Sequence, residues 1–173
     1  MTDIPARRRI LVGVDGSLPS LFALRWAGRE ARLRGAELCA VTVDADADTR
    51  YAPYAPPPPA TARAERWSAL RRTLADSIST ALGPCPDVAV HEHVEEGKPV
   101  AVLARFAADA ELLVLGSRQQ YGDLGPALSP IVRSCIRTVT CPVVVINHDD
   151  GLFWGECDRL RESSRTHHYS GVS

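Results

Sequence analysis

The chain has 173 residues, of which 45% are hydrophobic and 24% are charged, and its formal net charge is −1. This balance is typical of a globular protein, and the length predicts a single domain with a full core. A charge so close to zero gives no general attraction to nucleic acid or to an anionic membrane, so neither partner is expected.

Targeting signals and cysteine spacing further restrict the class of protein that the sequence can encode. The sequence has no run of about eighteen apolar residues, which a membrane-spanning helix would need. Its first residues lack the long apolar stretch and small-residue cleavage site of a secretory signal, so we expect a cytoplasmic protein. The five cysteines are odd in number and show no CxxC spacing, which predicts free thiols. Cys39 and Cys135 lie in apolar patterns and are expected in the core.

The chain begins with a predicted strand–helix–strand unit. Arg8–Val14 and Glu37–Val43 are short apolar runs rich in β-branched residues, as in buried parallel strands. Leu18–Arg34 lies between them and has helical periodicity. The features that define this helix are Ser17 or Ser20 as its N-cap, Gly35 at its end, one apolar row of Leu21, Leu24, Ala27 and Ala31, and a second row of Phe22, Trp26 and Leu33.

A proline-rich segment, Tyr51–Ala60, follows the second strand and contains four consecutive prolines. Such a run cannot join a helix or a central strand and favours an extended polyproline conformation. The segment could be a docking site for the aromatic-lined groove of a protein partner, or it could be a stiff surface loop. We favour the loop, because the segment interrupts one domain instead of joining two. Thr61–Leu82 then predicts a second helix.

The rest of the chain continues the alternation. Val88–Val94, Glu111–Gly116 and Cys141–Ile146 predict three more strands, of which the last two are expected to be buried. The apolar faces of the helices between them are Val102, Leu103, Phe106 and Ala107 in a helix that starts near Pro99, and Ile131, Val132, Cys135, Ile136 and Val139 in the last helix. Residues 148–173 are polar without sustained periodicity, so we expect one domain over residues 1–147 and a mobile tail.

Strict alternation of strands and helices predicts a parallel sheet with helices on both faces. Open sheets of this kind bind ligands in a crevice at the carboxyl ends of their strands. The strand ends expected to meet there are Asp15-Gly16-Ser17, Val43-Asp44 and Gly116-Ser117-Arg118. The Asp15 carboxylate could accept a hydrogen bond from a ribose hydroxyl, or it could cap the turn that follows it. Arg118 could pair with a phosphate or point into solvent.

Three segments of the sequence resemble the universal stress protein family. They are RRILVGVDGSLPSLFALRWAGREARLRGAELCAVTV at the start, the turn Glu96–Pro99, and ADAELLVLGSR together with CPVVVI near the end. The resemblance covers about residues 8–147. It implies a Rossmann-like α/β fold, similar to the adenine nucleotide alpha hydrolases, with a five-stranded parallel sheet in the order 3-2-1-4-5. It also implies a homodimer that forms through the last strand, residues 141–146.

The same resemblance implies a set of ATP-binding residues. Nucleotide-binding members of the family hold ATP with an aspartate after the first strand, a hydrophobic residue that ends the second strand, and a loop of the pattern G-x-x-G-(nine residues)-G-[S/T]. The corresponding residues here are Asp15, Gly16, Ser17, Val43, Gly116, Arg118, Gln119 and Ser129. Mg²⁺ would bind only together with ATP.

This loop departs from the family pattern at its second and third glycines. Gln119 occupies the second glycine position, where a side chain disfavours positive φ by about 1 kcal/mol. Ser129 and Pro130 occupy the third glycine position and the Ser/Thr position, and proline has no N–H to donate to a phosphate. Ser129-Pro130 is also a good helix start that needs no ligand. ATP binding is therefore expected to be weakened or lost.

The sequence contains no known motif for covalent or metal-dependent catalysis. His91 and His93 fall on one face of the predicted third strand and could begin a metal site, but no third ligand has a matching spacing. We therefore assign no catalytic residue and no metal ligand, and expect any ATP hydrolysis to be slow. The leading hypothesis is a stress-response regulatory protein that binds ATP weakly. The alternative is a dimeric interaction protein whose crevice is vestigial.

Overall fold

A computed structural model of the chain describes residues 8–45, 59–118, 120–122 and 125–148. Within these ranges strands and helices alternate. The elements in chain order are β1 (Arg9–Gly13), α1 (Leu18–Arg34), β2 (Glu37–Asp44), α2 (Ala60–Leu82), β3 (Val90–Glu96), α3 (Pro99–Ala107), β4 (Leu112–Arg118), β5 (Gln120–Gly122), β6 (Gly125–Ala127), α4 (Pro130–Thr138) and β7 (Val143–His148).

The main sheet has five parallel strands in the order β3-β2-β1-β4-β7. Because β7 is the fifth strand of this sheet along the chain, the observed order confirms the predicted order 3-2-1-4-5. From β1 the chain adds β2 and then β3 on one side, and it then crosses back to add β4 and β7 on the other side of β1. The strand order therefore reverses between β1 and β4. Ligand crevices of open α/β sheets form at this point.

The core consists of one apolar layer on each face of the sheet. Alternate residues of a strand point to opposite faces, so Ile10 packs toward α1 and α2, and Leu11 packs toward α3 and α4. The helices contribute Leu24 and Leu74 to the first layer and Leu103 to the second. The predicted arrangement of helices on both faces is therefore confirmed.

Helix α1 has the predicted bounds and caps. The Ser17 hydroxyl accepts a hydrogen bond from the Ser20 amide at 3.4 Å, and Gly35 ends the helix with a left-handed φ of 61°. One detail of its predicted apolar face is wrong, because the Leu33 side chain is 77% exposed. Leu33 lies in the last turn, on a side of the helix that no described element covers. Of the first predicted row, Leu24, Ala27 and Ala31 are buried and Leu21 is half-buried; the helix also buries Pro19, Ser20, Ala23 and Gly28.

Two other predictions, the apolar face of α4 and the position of β3, were wrong in detail. Helix α4 buries a narrow stripe of Val132 and Cys135, whereas Ile131 and Ile136 are 45% and 47% exposed. A helix of nine residues that lies on one face of a sheet has room for only one such stripe. Strand β3 was predicted two residues too early, because Val88 and Ala89 precede its regular pairing with β2.

The region predicted as one long loop after β4 contains regular structure. Strand β4 extends through Gly116, Ser117 and Arg118, which pair with the extended end of β7. Strands β5 and β6 then form an antiparallel hairpin, in which Gly122 pairs with Gly125. Glycine pairs at a hairpin end suit tight turns, but their spacing gave no strand signal in the sequence.

Several predictions fall on residues outside the described ranges. They concern residues 51–58 of the proline-rich segment, Gln119, Cys157 and the tail, so the domain boundary at 147 stays a prediction. Within the described ranges no helix combines the length and the apolar character that crossing a membrane requires.

The four cysteines that the structure describes are free thiols, and Cys39 and Cys135 are buried as predicted. Burial raises the pKa of Cys39 to about 11 and also raises the pKa of Cys135. Both thiols therefore stay protonated at neutral pH and act as small core residues.

Candidate functional site

A cavity of about 240 Å³ opens at the carboxyl ends of β1, β2 and β4. It lies at the reversal point of the strand order, where the sequence predicted a crevice. Its lining residues are Gly13, Val14, Asp15, Ser20, Val41, Val43, Ala45, Pro99, Leu103, Leu115, Gly116, Ser129, Ile131 and Val132. The cavity is thus apolar inside, and its polar groups come from Asp15 and two serines.

Gly13 lines this cavity beside two leucine side chains. A Cβ atom on Gly13 would lie 2.8 Å from the Leu115 Cδ2 and 3.7 Å from the Leu103 Cδ2. Any side chain at position 13 would therefore push these leucines or occupy the space between them. Glycine as the last residue of β1 therefore lets the Leu115 and Leu103 side chains pack close to the strand in the cavity wall.

Asp15 is the only charged residue in the lining, among the residues that the structure describes. Its Oδ1 accepts a hydrogen bond from the Ser17 amide at 2.9 Å, so it caps the turn, as one of the two sequence hypotheses proposed. Burial favours the neutral form of Asp15, but hydrogen bonds from Ser17 and Ser20 outweigh burial and lower its pKa. A carboxylate can accept more than one hydrogen bond, so a ligand can still bind here.

Gly16 and Ser17 do not line the cavity and have structural roles instead. Gly16 has a φ of 77°, and a Cβ atom there would lie 2.8 Å from the Thr73 Cγ2 on α2. Ser17 is the N-cap of α1. The two residues therefore fix the turn that carries Asp15, and no contact of theirs points to a ligand.

Val43 lines the cavity, as the resemblance implied. Its neighbour Asp44 is buried and faces away, with its Oδ2 3.0 Å from the Arg66 Nε on α2. The Asp44 carbonyl accepts a hydrogen bond from the Gly97 amide at 3.2 Å. These contacts fix the end of β2, and with it the position of Val43.

Gly116 lines the cavity and also lies against the first turn of α1. A Cβ atom on Gly116 would be 2.6 Å from the Ser20 nitrogen and closer still to the Pro19 carbonyl group. Its φ is not positive. Glycine is therefore needed here for close approach of two backbones, with or without a ligand.

The remaining predicted loop residues do not all lie at the cavity. Ser129 lines the cavity and caps α4, since its hydroxyl accepts a hydrogen bond from the Val132 amide at 3.3 Å. Arg118 is exposed and is not part of the lining. Gln119 lies outside the described residues. The structure thus brings together Asp15, Val43, Gly116 and Ser129 of the eight residues that the resemblance implied.

Sequence reasoning missed the apolar interior of the site. Val41 could have been found, because residues two apart on a strand share a face and Val41 precedes Val43 by two. Pro99 could also have been found, since it follows the end of β3 and so lies at the same edge of the sheet. Gly13 and Leu103 gave no such signal, because their proximity depends on how α3 packs on β1.

The two histidines of β3 have separate partners. The His91 Nε2 lies 3.3 Å from the Glu37 Oε2, and the His93 ring is tilted against Phe106 with 4.9 Å between ring centroids. Burial lowers the pKa of His93. Among the described residues no group of three or more potential ligands could hold a metal ion.

Comparison with known proteins identifies the family. A model of the Universal stress protein family matches residues 6–147. The chain belongs to the universal stress protein family. This universal stress protein is 32% identical over 141 residues to a universal stress protein of Mycolicibacterium smegmatis, and the alignment covers 82% of this chain and 46% of the relative. It spans about half the length of the curated relatives that it matches.

Solved structures of universal stress proteins share the fold. One, a universal stress protein in complex with cAMP, is 25% identical, with a TM-score of 0.53 over 82% of this chain and 98% of that one. Another, from Burkholderia pseudomallei, is 25% identical, with a TM-score of 0.59 over 82% of this chain and 97% of that one. The family and the Rossmann-like fold that the three sequence segments implied are confirmed.

Proposed function

We propose that this protein is a cytoplasmic regulatory protein of the universal stress type that binds an adenine nucleotide in the cavity at the carboxyl ends of β1, β2 and β4. The observation that carries the proposal is the apolar cavity beside an ionised carboxylate. Val41, Val43 and Leu115 offer apolar surface to the flat faces of a purine. Asp15 stands at the rim, where it can accept a hydrogen bond from a ribose hydroxyl.

The likeness to a cAMP complex also supports an adenine ligand, because that relative shares the fold and 25% of its residues. ATP itself is expected to bind weakly, since Pro130 and Gln119 replace residues that approach phosphates in the family. We expect Mg²⁺ to bind only together with ATP. Among the described lining residues only Asp15 is ionisable, so we expect any hydrolysis to be slow.

Calorimetry with the purified protein and its Asp15→Ala and Asp15→Asn variants tests this site. Adenine nucleotide should bind the native protein saturably, and Asp15→Ala should weaken binding roughly tenfold to a hundredfold, because a charge-assisted hydrogen bond is lost. Asp15→Asn keeps an acceptor for the Ser17 amide, so it separates the loss of charge from the loss of the turn cap.

Asp109→Ala is the matched control, because Asp109 is an exposed carboxylate beyond the far end of α3. It should leave binding unchanged. Absence of heat from AMP, cAMP and ATP at millimolar concentration would contradict the proposal.

We further propose that the protein forms a homodimer through β7. In the described part of the chain, β7 has β4 as its one strand neighbour. The Leu113 amide donates to the Pro142 carbonyl at 2.9 Å, and alternate residues of a parallel strand bond the same neighbour. Val143 and Val145 therefore direct their backbone N–H groups toward the open edge, where a second β7 can pair.

A proline at position 145 should disrupt this dimer without breaking the β4–β7 ladder, since edge strands tolerate proline where the N–H points outward. Light scattering coupled to size exclusion should show a dimer for the native protein and a monomer for Val145→Pro. Glu92→Pro is the control at the opposite edge, because the Leu38 amide bonds the Ala89 carbonyl and Glu92 points outward by the same alternation. A dimer that survives Val145→Pro would exclude this interface.

A further inference from the structure

Three helices begin at the rim of the cavity, and each has a proline in its first turn. They are α1 with Pro19, α3 with Pro99 and α4 with Pro130. Backbone N–H groups at a helix start are the usual donors to bound phosphate. Proline has no N–H, so each of these helix starts lacks one such donor.

One amide in the first turn of α1 and one in the first turn of α4 already have partners inside the protein. The Ser20 amide donates to the Ser17 hydroxyl, and the Val132 amide donates to the Ser129 hydroxyl. The Ser20 hydroxyl, which lines the cavity, donates to the Ser17 carbonyl at 2.8 Å. One first-turn amide of α1 and one of α4 are thus satisfied by the N-cap serine without an anion, whereas α3 has no side-chain cap.

The charge at the cavity also disfavours a polyphosphate. Asp15 is the only charged side chain in the described lining, and its lowered pKa keeps it negative at neutral pH. The nearby Arg66 is paired with Asp44, and Arg118 is outside the lining. Residues 119–129, which connect β4 to α4, contain no lysine or arginine and one aspartate. Lys98, the N-cap of α3, and Arg133 of α4 are next in sequence to lining residues, but both are exposed and neither lines the cavity.

We propose that this cavity selects an adenine nucleoside carrying at most one phosphate group, in preference to ATP. The inference rests on the proposed function, because it assumes that the purine binds in this cavity. The purine and ribose keep their apolar and carboxylate contacts, whereas each added phosphate brings negative charge close to Asp15 with few free donors to receive it. ATP is therefore the poorest ligand of the series.

Calorimetric titration with adenosine, AMP and ATP, at one ionic strength and with Mg²⁺ present, tests this selectivity. Adenosine and AMP should bind the native protein at least roughly tenfold more tightly than ATP. Pro130→Ala restores an N–H in the first turn of α4. It should raise the affinity for ATP several-fold while the affinity for adenosine stays unchanged.

Pro84→Ala is the matched control, because Pro84 is exposed in the turn after α2, at the opposite edge of the sheet. Melting curves check that all variants fold. If ATP binds as tightly as adenosine, the selectivity is wrong and the proposed function stands. If Pro130→Ala leaves the ratio of ATP to adenosine affinity unchanged, the missing donor is not its cause. If none of the three ligands binds, the proposed function itself fails.

Discussion

Replacement of Gly116 by alanine is expected to lower the free energy of unfolding by about 3 kcal/mol or more. The new Cβ would lie 2.6 Å from the Ser20 nitrogen and nearer to the Pro19 carbonyl. These are backbone atoms in the first turn of α1, so no side-chain rotation relieves the overlap. Either α1 moves away from β4 or β4 distorts, and both changes break contacts across the first core layer.

Urea denaturation of the native protein and of Gly116→Ala measures this effect. Gly35→Ala is the matched control, because Gly35 has a φ of 61° but no atom within 4 Å of the added Cβ. It should cost only about 1 kcal/mol, from the left-handed backbone alone. Equal losses for the two variants would show that steric overlap at Gly116 is unimportant.

The result bears on how the family loop is interpreted in this chain. Gly116 is the one glycine that the chain retains at the motif positions, and in the sequence alone it indicates phosphate binding. The structure gives it a packing role that exists without a ligand. Retention of Gly116 is therefore weak support for ATP, whereas Asp15 and the apolar interior are stronger support for a nucleoside.

Truncation of Leu74 to alanine should affect stability alone, whereas truncation of Leu103 should affect both stability and ligand binding. Leu74 is completely buried between α2 and the sheet, and its loss should cost about 2 to 5 kcal/mol of stability. Leu103 packs on the opposite face and borders the cavity. Its loss should also cost about 2 to 5 kcal/mol, because its side chain is only 4% exposed.

Ligand affinity should respond differently to the two truncations, because only Leu103 lines the cavity. Leu103→Ala removes apolar wall from the cavity and should weaken adenosine roughly tenfold. Leu74→Ala acts on the other face of the sheet and should leave affinity unchanged while the protein remains folded. Urea denaturation and calorimetry on the same samples make both measurements. Weaker binding in both variants would indicate a general loss of structure, and unchanged binding in both would place the ligand elsewhere.

The interaction hypothesis depends on the proline-rich segment, which lies mostly outside the described residues. It therefore stays a prediction. Residues of α2 just after this segment do have defined contacts, because Arg66 pairs with Asp44 and Arg63 pairs with Glu96. These pairs hold the start of α2 against the ends of β2 and β3.

The sequence by itself determined the fold and the general location of the site. Apolar periods of two and of about 3.6 residues distinguish strands from helices, and their alternation restricts the sheet to a parallel one. Helix caps were also predictable from the sequence, because a capping residue such as Ser17 bonds to a residue only three positions away. The edge at which Asp15, Val43 and Gly116 meet followed from chain direction alone.

Only the tertiary structure decided what the site is made of. Gly13 and Leu103 are ninety residues apart in sequence, and their contact depends on the position of α3 over β1. Gly116 touches α1 through space, so its need for glycine has no local cause. Exposure of Leu33 and Ile136 likewise depends on where neighbouring elements end. Periodicity is a property of one segment, whereas a cavity is a property of the gaps between several.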